Sequence, residues 1–116
     1  MLASPINPAV FNASDFDKAT RGERLFVAET DSEIVGFVSV WEPENFIHHL
    51  YVLPEYQGRG VGTLLHHAAV QVLAKPVELK CLSHNKRALS FYRKLGWKTV
   101  GSGVDADGEY LLLRFA

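Results

Sequence analysis

The residues that most directly suggest chemistry form one glycine-rich segment, QGRGVGT, at positions 57–63. It lies between a stretch that favours a strand and one that favours a helix, so backbone N–H groups and the positive end of a helix dipole converge there. Glycine has no side chain to keep an anion away from those groups, and it adopts positive φ freely. The segment therefore predicts a phosphate-binding turn.

The glycine spacing separates this turn from two common phosphate loops. A dinucleotide-binding GxGxxG pattern needs glycine at position 63, where Thr63 stands, and a Walker loop needs Gly-Lys-Ser/Thr, which is absent. From the glycines alone, a tight strand-to-helix turn without a ligand stays a possible interpretation.

Two histidine pairs and one cysteine are the other residues with chemical potential. His48-His49 and His66-His67 are adjacent pairs, and adjacent side chains point apart on a strand and lie about 100° apart on a helix. Neither pair makes a good chelate, so no metal site is predicted. Cys81 alternates with apolar residues, which is typical of a core position rather than a nucleophile.

The elements before the turn are predicted as strands. LFVAET and IVGFVSVW, joined by a short polar turn, form a two-stranded meander, and FIHHLYVL ends as a strand before Pro54. Residues 1–24 hold prolines and polar residues and predict an irregular arm, with a short helix near 14–20. Residues 25–116 form the core of a single domain.

The elements after the turn alternate in type. Apolar residues recur at helical spacing from Val61 until Pro76 ends the pattern, and VELKCL follows as a strand. A second helix is predicted from about Asn85 to Leu95, with Gly96 at its end. The remaining tail predicts a hairpin. From residue 25 the order is β-β-β-α-β-α-β-β, a mixed α/β sheet.

Length and charge restrict the partners. With 116 residues, of which 47% are hydrophobic, the chain can bury one core. Its 12 basic and 13 acidic residues give a net charge of -1, so no global field gathers nucleic acid or an anionic membrane. No apolar run approaches the ~18 residues of a membrane span, and no secretory signal is evident. A cytoplasmic protein without nucleic-acid or membrane partners is expected.

Two motifs resemble those of one family. The pattern L-x-V-x-P followed by Q-x-x-G-x-G, at positions 50–62, is similar to the pyrophosphate-binding motif of the GNAT superfamily of acyl-CoA-dependent N-acyltransferases. N-x-x-A-x-x-F-Y-x-x-x-G-W, at 85–97, resembles a helix signature of the same superfamily. The resemblance covers about residues 46–97. It implies a mostly antiparallel sheet with two splayed strands, here shortened at its N-terminal end.

The resemblance also implies an activity and a cofactor site. The activity is transfer of an acetyl group from acetyl-CoA to a small-molecule or peptide amine, by direct attack in a ternary complex without a metal. Pantetheine would lie between the splayed strands, and the turn amides would hold the pyrophosphate. Arg59, Lys86 and Arg87 are candidates for the 3′-phosphate. The implied cofactor-binding residues are Leu50, Tyr51, Val52, Gln57, Gly58, Arg59, Gly60, Val61, Gly62, Thr63, Asn85, Ala88 and Tyr92.

Tyr92 is the catalytic acid that the resemblance implies, because it would lie beside the thioester sulfur. A phenol with a pKa near ~10 gives its proton to a thiolate near ~8.5 at a cost of ~2 kcal/mol. A hydrogen bond to the thiolate is therefore as reasonable a role as complete proton transfer.

The acceptor amine is an ammonium at pH 7, so a base must take its proton. The candidates are His48, His49, Glu42 and Glu44. His49 and His48 are nearly equal, since histidine needs little tuning at neutral pH, and Glu42 ranks below them. Strict alternation places His48 on the same face of the strand as Leu50, and His49 on the other face. A β-bulge would change which face each histidine occupies.

The short N-terminal region leaves two questions open. Only about 24 residues precede the first confident strand, so a strand or helix of the usual fold is missing or reduced, and the exposed sheet edge suggests a homodimer. A non-catalytic CoA-binding module of the same fold is the alternative to an enzyme.

Overall fold

The computed structural model describes residues 9–12, 23–31 and 33–116. Within them the chain forms seven strands and two α-helices. The strands are β1 (Ala9–Asn12), β2 (Glu23–Thr30), β3 (Glu33–Trp41), β4 (Phe46–Val52), β5 (Val77–Leu82), β6 (Lys98–Asp105) and β7 (Gly108–Phe115), and the helices are α1 (Val61–Val72) and α2 (Lys86–Lys94).

The strands lie in one sheet, in the order β1-β2-β3-β4-β5-β7-β6. Every neighbouring pair is antiparallel except β4 and β5, which are parallel. A parallel pair requires a crossover connection, and α1 supplies it. The predicted mixed, mostly antiparallel sheet is confirmed, as is the element order from residue 25 onward.

The N-terminal arm is where the sequence prediction was wrong. β1 pairs antiparallel with β2, with Ala9 opposite Glu29, so residues predicted as irregular contain a strand. Four residues are too few to show a period-2 pattern, and their strand state depends on pairing with β2. β2 itself begins at Glu23, slightly before the predicted start of the core. The predicted helix near 14–20 lies outside the described residues.

The outer strands of the sheet are therefore β1 and β6. The sequence predicted an unpaired sheet edge that a second subunit could cover. In the structure β1 pairs with β2 at this edge. The homodimer stays a prediction. No helix in the described ranges is long and apolar enough to span a membrane.

The core lies between the sheet and both helices. α1 buries Val61, Leu65 and Ala69, and α2 buries Leu89 and Tyr92, against the buried side chains of the central strands. Both helices therefore pack on one face of the sheet. α2 begins with the side chain of Asn85 accepting a hydrogen bond from Ala88 N at 3.1 Å, and it is followed by Gly96 at φ 106°, as predicted.

His66 is a polar residue inside this core, with 1% of its surface exposed. Its Nε2 accepts a hydrogen bond from Trp97 Nε1 at 2.9 Å. Since indole N–H only donates, Nε2 must be unprotonated, and the imidazole proton lies on Nδ1, 3.1 Å from His67 Nδ1. The hydrogen bond therefore requires neutral His66. Burial, followed by the charge of His67, lowers the pKa of His66 from 6.5 to about 4.

We expect this histidine to make stability depend on pH. Because the folded-state pKa is lowered, the unfolded chain binds more protons between pH 6.5 and about 4. The contribution is complete above pH 6.5, is lost as pH falls through about 4, and amounts to ~3 kcal/mol. Urea unfolding at several pH values measures it. His66→Gln, which keeps an acceptor, should flatten this dependence.

His84→Gln is the matched control, because His84 is exposed. This variant should keep the wild-type slope of unfolding free energy against pH. An unchanged slope in His66→Gln would contradict the assignment.

Candidate active site

The ladder between β4 and β5 is short. The two strands pair only at Phe46 with Glu78 and at Ile47 with Leu79. β4 continues to Val52 without β5 as a neighbour, so the backbone groups of its last residues are not used in that ladder. The predicted splay between these strands is confirmed, and it opens a gap through the middle of the sheet.

A cleft of about 570 Å³ begins at this gap on the helical face. It lies between the end of β4, the N-terminus of α1 and one side of α2. Its lining residues are Leu50, Tyr51, Val52, Gln57, Gly58, Gly60, Gly62, Thr63, Asn85, Arg87, Ala88, Phe91 and Tyr92.

The glycine turn leaves its amides available to this cleft. Gly58 and Gly60 have φ of 78° and 89°, and a Cβ on either would meet nothing within 4 Å. The first helical bond of α1 runs from Leu64 N to Gly60 O at 3.1 Å, with no side-chain cap and no acidic residue in the first turn. The N–H groups of residues 61–63 thus lack helical acceptors and suit an anion.

Two contacts hold the turn in place. Gln57 Nε2 donates to Val52 O at 3.0 Å, which ties the turn to the end of β4. At Gly62, a Cβ would lie 3.3 Å from the ring of Phe91. Gly62 therefore permits close packing of α1 on α2, whereas Gly60 is needed for its positive φ.

Two predicted cofactor residues lie outside the cleft lining. The guanidinium carbon of Arg59 lies 5.6 Å from the ring centroid of Tyr56, and the side chain of Val61 is buried in the core. Of the three cations suggested for a 3′-phosphate, Arg87 lines the cleft. Phe91, which is not among the predicted cofactor-binding residues, lines it too.

Tyr92 reaches the cleft from α2 and is 7% exposed. Burial, and secondarily Cys81, raises the pKa of Tyr92 well above its usual value. The phenol is therefore protonated at neutral pH and can donate a hydrogen bond. Burial also raises the pKa of the Cys81 thiol, opposed by Arg93, so this buried cysteine is a thiol and a poor nucleophile.

A β-bulge sets the direction of the two histidines on β4. Ser39 pairs with His49 but Val40 pairs with Ile47, so His48 is the extra residue. Ile47 and Leu50 are three positions apart, so strict alternation would place them on opposite faces of the sheet. The bulge lets both face the core. Both histidines are exposed.

His48 is held by more contacts than His49. Its Nδ1 lies 3.1 Å from Glu23 Oε1, and its ring stacks with Trp41 at a centroid distance of 6.3 Å. Across the described part of the chain, His49 makes no side-chain hydrogen bond. Glu42 is engaged in an ion pair with Arg24 at 3.0 Å.

A second cavity, of about 470 Å³, contains both histidines. Lys80 and Leu82 line it and alternate with buried Leu79 and Cys81 on β5, so it opens on the sheet face opposite the helices. The sequence did not predict that residues of β6 and β7 would line a cavity together with the histidines. The lining residues are Phe46, His48, His49, Lys80, Leu82, Asp105, Asp107 and Tyr110.

Within residues 9–12, 23–31 and 33–116, no group of three or more His, Cys, Asp or Glu side chains is arranged to hold a metal ion.

Comparison with known proteins identifies relatives. Residues 3–97 match the model of the Acetyltransferase (GNAT) family. An uncharacterized N-acetyltransferase from Archaeoglobus fulgidus is 36% identical over 92 residues, covering 68% of this chain and 63% of that protein. The spermidine N(1)-acetyltransferase of Escherichia coli is 33% identical over 91 residues, covering 70% and 48%. The chain thus spans less than two thirds of the length of these curated relatives.

A solved structure confirms the fold. The GNAT family acetyltransferase from Elizabethkingia anophelis, with acetyl-CoA bound, superimposes with a TM-score of 0.78 at 13% identity, covering 94% of this chain and 97% of that one. The family match spans most of the chain, and the split between β4 and β5 and the glycine turn agree with it. This chain belongs to the GNAT acetyltransferase family.

Proposed function

We propose that this protein is an N-acetyltransferase that moves an acetyl group from acetyl-CoA to a primary amine by direct attack in a ternary complex. The observation that carries the proposal is the cleft at the β4–β5 split, into which the uncapped amides of α1 face. Acetyl-CoA supplies an activated thioester, and the relative named for spermidine acetylation supports an amine as acceptor.

Two sets of groups in the chain fit two parts of acetyl-CoA, the phosphates and the pantetheine arm with its thioester. The amides of residues 61–63 and the positive φ of Gly60 form a nest for the pyrophosphate, and Arg87 at the cleft offers a cation for a further phosphate. The backbone groups of Leu50 and the N–H of Val52, unused by β5, are available to the pantetheine amides and to the thioester oxygen, whereas the Val52 carbonyl accepts from Gln57 Nε2.

The reaction needs a base on one side of the gap and a hydrogen-bond donor on the other. We assign the base to His48, because Glu23 and Trp41 hold its ring while Nε2 stays available. Nε2 takes a proton from the ammonium of the acceptor, directly or through water. The Tyr92 hydroxyl donates a hydrogen bond to the departing thiolate, and its raised pKa favours this role over complete proton transfer.

Gly60→Glu should abolish acetyl-CoA binding measured by isothermal titration. Its carboxylate would project into the cradle, repel the pyrophosphate, and force an L-residue to φ 89°. Gly60→Ala is the matched control, since its Cβ meets nothing within 4 Å and only the backbone cost of ~1 kcal/mol applies. Wild-type protein that does not bind acetyl-CoA would refute the proposal.

Tyr92→Phe should lower kcat about 100-fold while the Kd for acetyl-CoA stays within about twofold, because only the hydroxyl that stabilises the leaving thiolate is removed. Steady-state kinetics and titration measure the two constants. Tyr56→Phe, which removes a phenol bonded to Glu33 outside the cleft, should retain wild-type kcat. An equal loss in both variants would rule out the assigned role.

His48→Gln should reduce kcat/KM at pH 7 about 100-fold, since glutamine cannot accept the amine proton. His49→Gln, in the same cavity and on the same strand, should reduce it much less. Rates at pH 7 and at a higher pH, where more of the amine is neutral, separate base catalysis from binding. The reverse order of effects would move the role to His49.

A further inference from the structure

The second cavity carries an excess of negative charge. Asp105 and Asp107 line it, and neither carboxylate forms an ion pair with any described residue. Lys80 is the one lysine or arginine among the lining residues. With both histidines neutral, the lining charge is two negative against one positive, or -1. A cationic group is therefore favoured over an anionic one.

Asp105 and Asp107 are exposed residues at the tip of the β6–β7 hairpin. Asp105 Oδ1 accepts a hydrogen bond from Asp107 N at 2.9 Å, which orders the tip. Asp107 lines the cavity, and its carboxylate makes no hydrogen bond with the described residues. Both acidic side chains therefore belong to a tight turn rather than to a long loop.

An aromatic ring lies beside these carboxylates. Gly103 has no side chain, and a Cβ there would overlap the hydroxyl of Tyr110, so the glycine lets this ring lie across β6. Lys80 Nζ lies 4.7 Å from the centroid of the Tyr110 ring. The Tyr110 ring therefore contributes an aromatic surface of the kind that cations contact, here with the Lys80 ammonium beside it.

The histidines and the carboxylates come from different elements. His48 and His49 lie on β4 beside the gap that leads to the cofactor cleft, whereas Asp105 and Asp107 lie at the hairpin tip. The volume of about 470 Å³ lies within the ~300–1,000 Å³ range of small-molecule sites. The cavity therefore has room for a short aliphatic molecule between the histidines and the carboxylates.

We propose that this cavity binds an acceptor with two cationic groups, an alkyl diamine or polyamine, and that Asp105 and Asp107 bind the ammonium that does not react. This rests on the proposed acetyltransferase function and specifies its substrate class. The reacting amine lies at the histidines and loses one proton to His48. Its nitrogen then forms a bond to the acetyl carbon, the C–S bond of the thioester breaks, and CoA leaves as the thiolate, which receives the second nitrogen proton directly or through water. The remote ammonium stays charged throughout.

Titration of diaminobutane and of butylamine into the CoA-saturated protein tests the proposal without requiring turnover. Diaminobutane should bind about fivefold more tightly, because an ion pair with exposed carboxylates such as Asp105 and Asp107 contributes a factor of that size at most. Asp107→Asn and Asp105→Asn should remove most of this difference. Asparagine at position 105 still accepts the bond from Asp107 N, so the turn is preserved.

Glu109→Gln is the matched control, since Glu109 is exposed on the same hairpin and does not line the cavity. It removes an equal charge and should leave the preference for diaminobutane intact. Equal binding of the two amines, or equal losses in Glu109→Gln and Asp107→Asn, would overturn the inference.

Turnover then separates the two proposals. One outcome is that butylamine, or a peptide amine that lacks a second cation, is acetylated with the same kcat/KM as diaminobutane. That result would support the acetyltransferase proposal and reject the proposed substrate class. Selective binding of diaminobutane without acetyl transfer to any amine supports the cation site and rejects the acetyltransferase.

Discussion

The interrupted ladder between β4 and β5 is the constraint on which the rest of the structure depends. Two residue pairs hold the strands together at one end, and beyond them each strand presents backbone groups to a gap instead of to a neighbour. Unpaired backbone groups inside a sheet are costly unless another partner satisfies them. The proposed entry of pantetheine into the gap as an extended chain would satisfy them.

The gap also connects the two faces of the sheet. On the helical face, α1 and α2 border a cleft with uncapped amides and Tyr92. On the opposite face, β4 and the β6–β7 hairpin border a cavity with histidines and carboxylates. A sheet that was paired along its full length would separate these two sites. The interrupted pairing between β4 and β5 lies between these two sites.

The scaffold around the gap is held by packing and by a few polar contacts. Gln57 fixes the turn to the end of β4, and Gly62 permits α1 to lie against Phe91. On the other side of α1, the hydrogen bond between Trp97 and His66 joins α1 to the segment after α2. These contacts fix the elements on both sides of the cleft relative to one another, and such preorganisation reduces the entropy lost on binding.

The sequence by itself determined the features that depend on neighbouring residues: the glycine turn, the alternation of strands and helices from residue 25, and the motifs that indicate the family. It could not determine β1, the bulge at His48, or the placement of Asp105 and Asp107 opposite the histidines. Each of these depends on pairing between distant segments, and local propensity does not encode which strands become neighbours. The cleft beside the glycine turn is lined by two segments, 50–63 and 85–92, that carry the two motifs, whereas the proposed acceptor cavity exists only after the sheet has assembled.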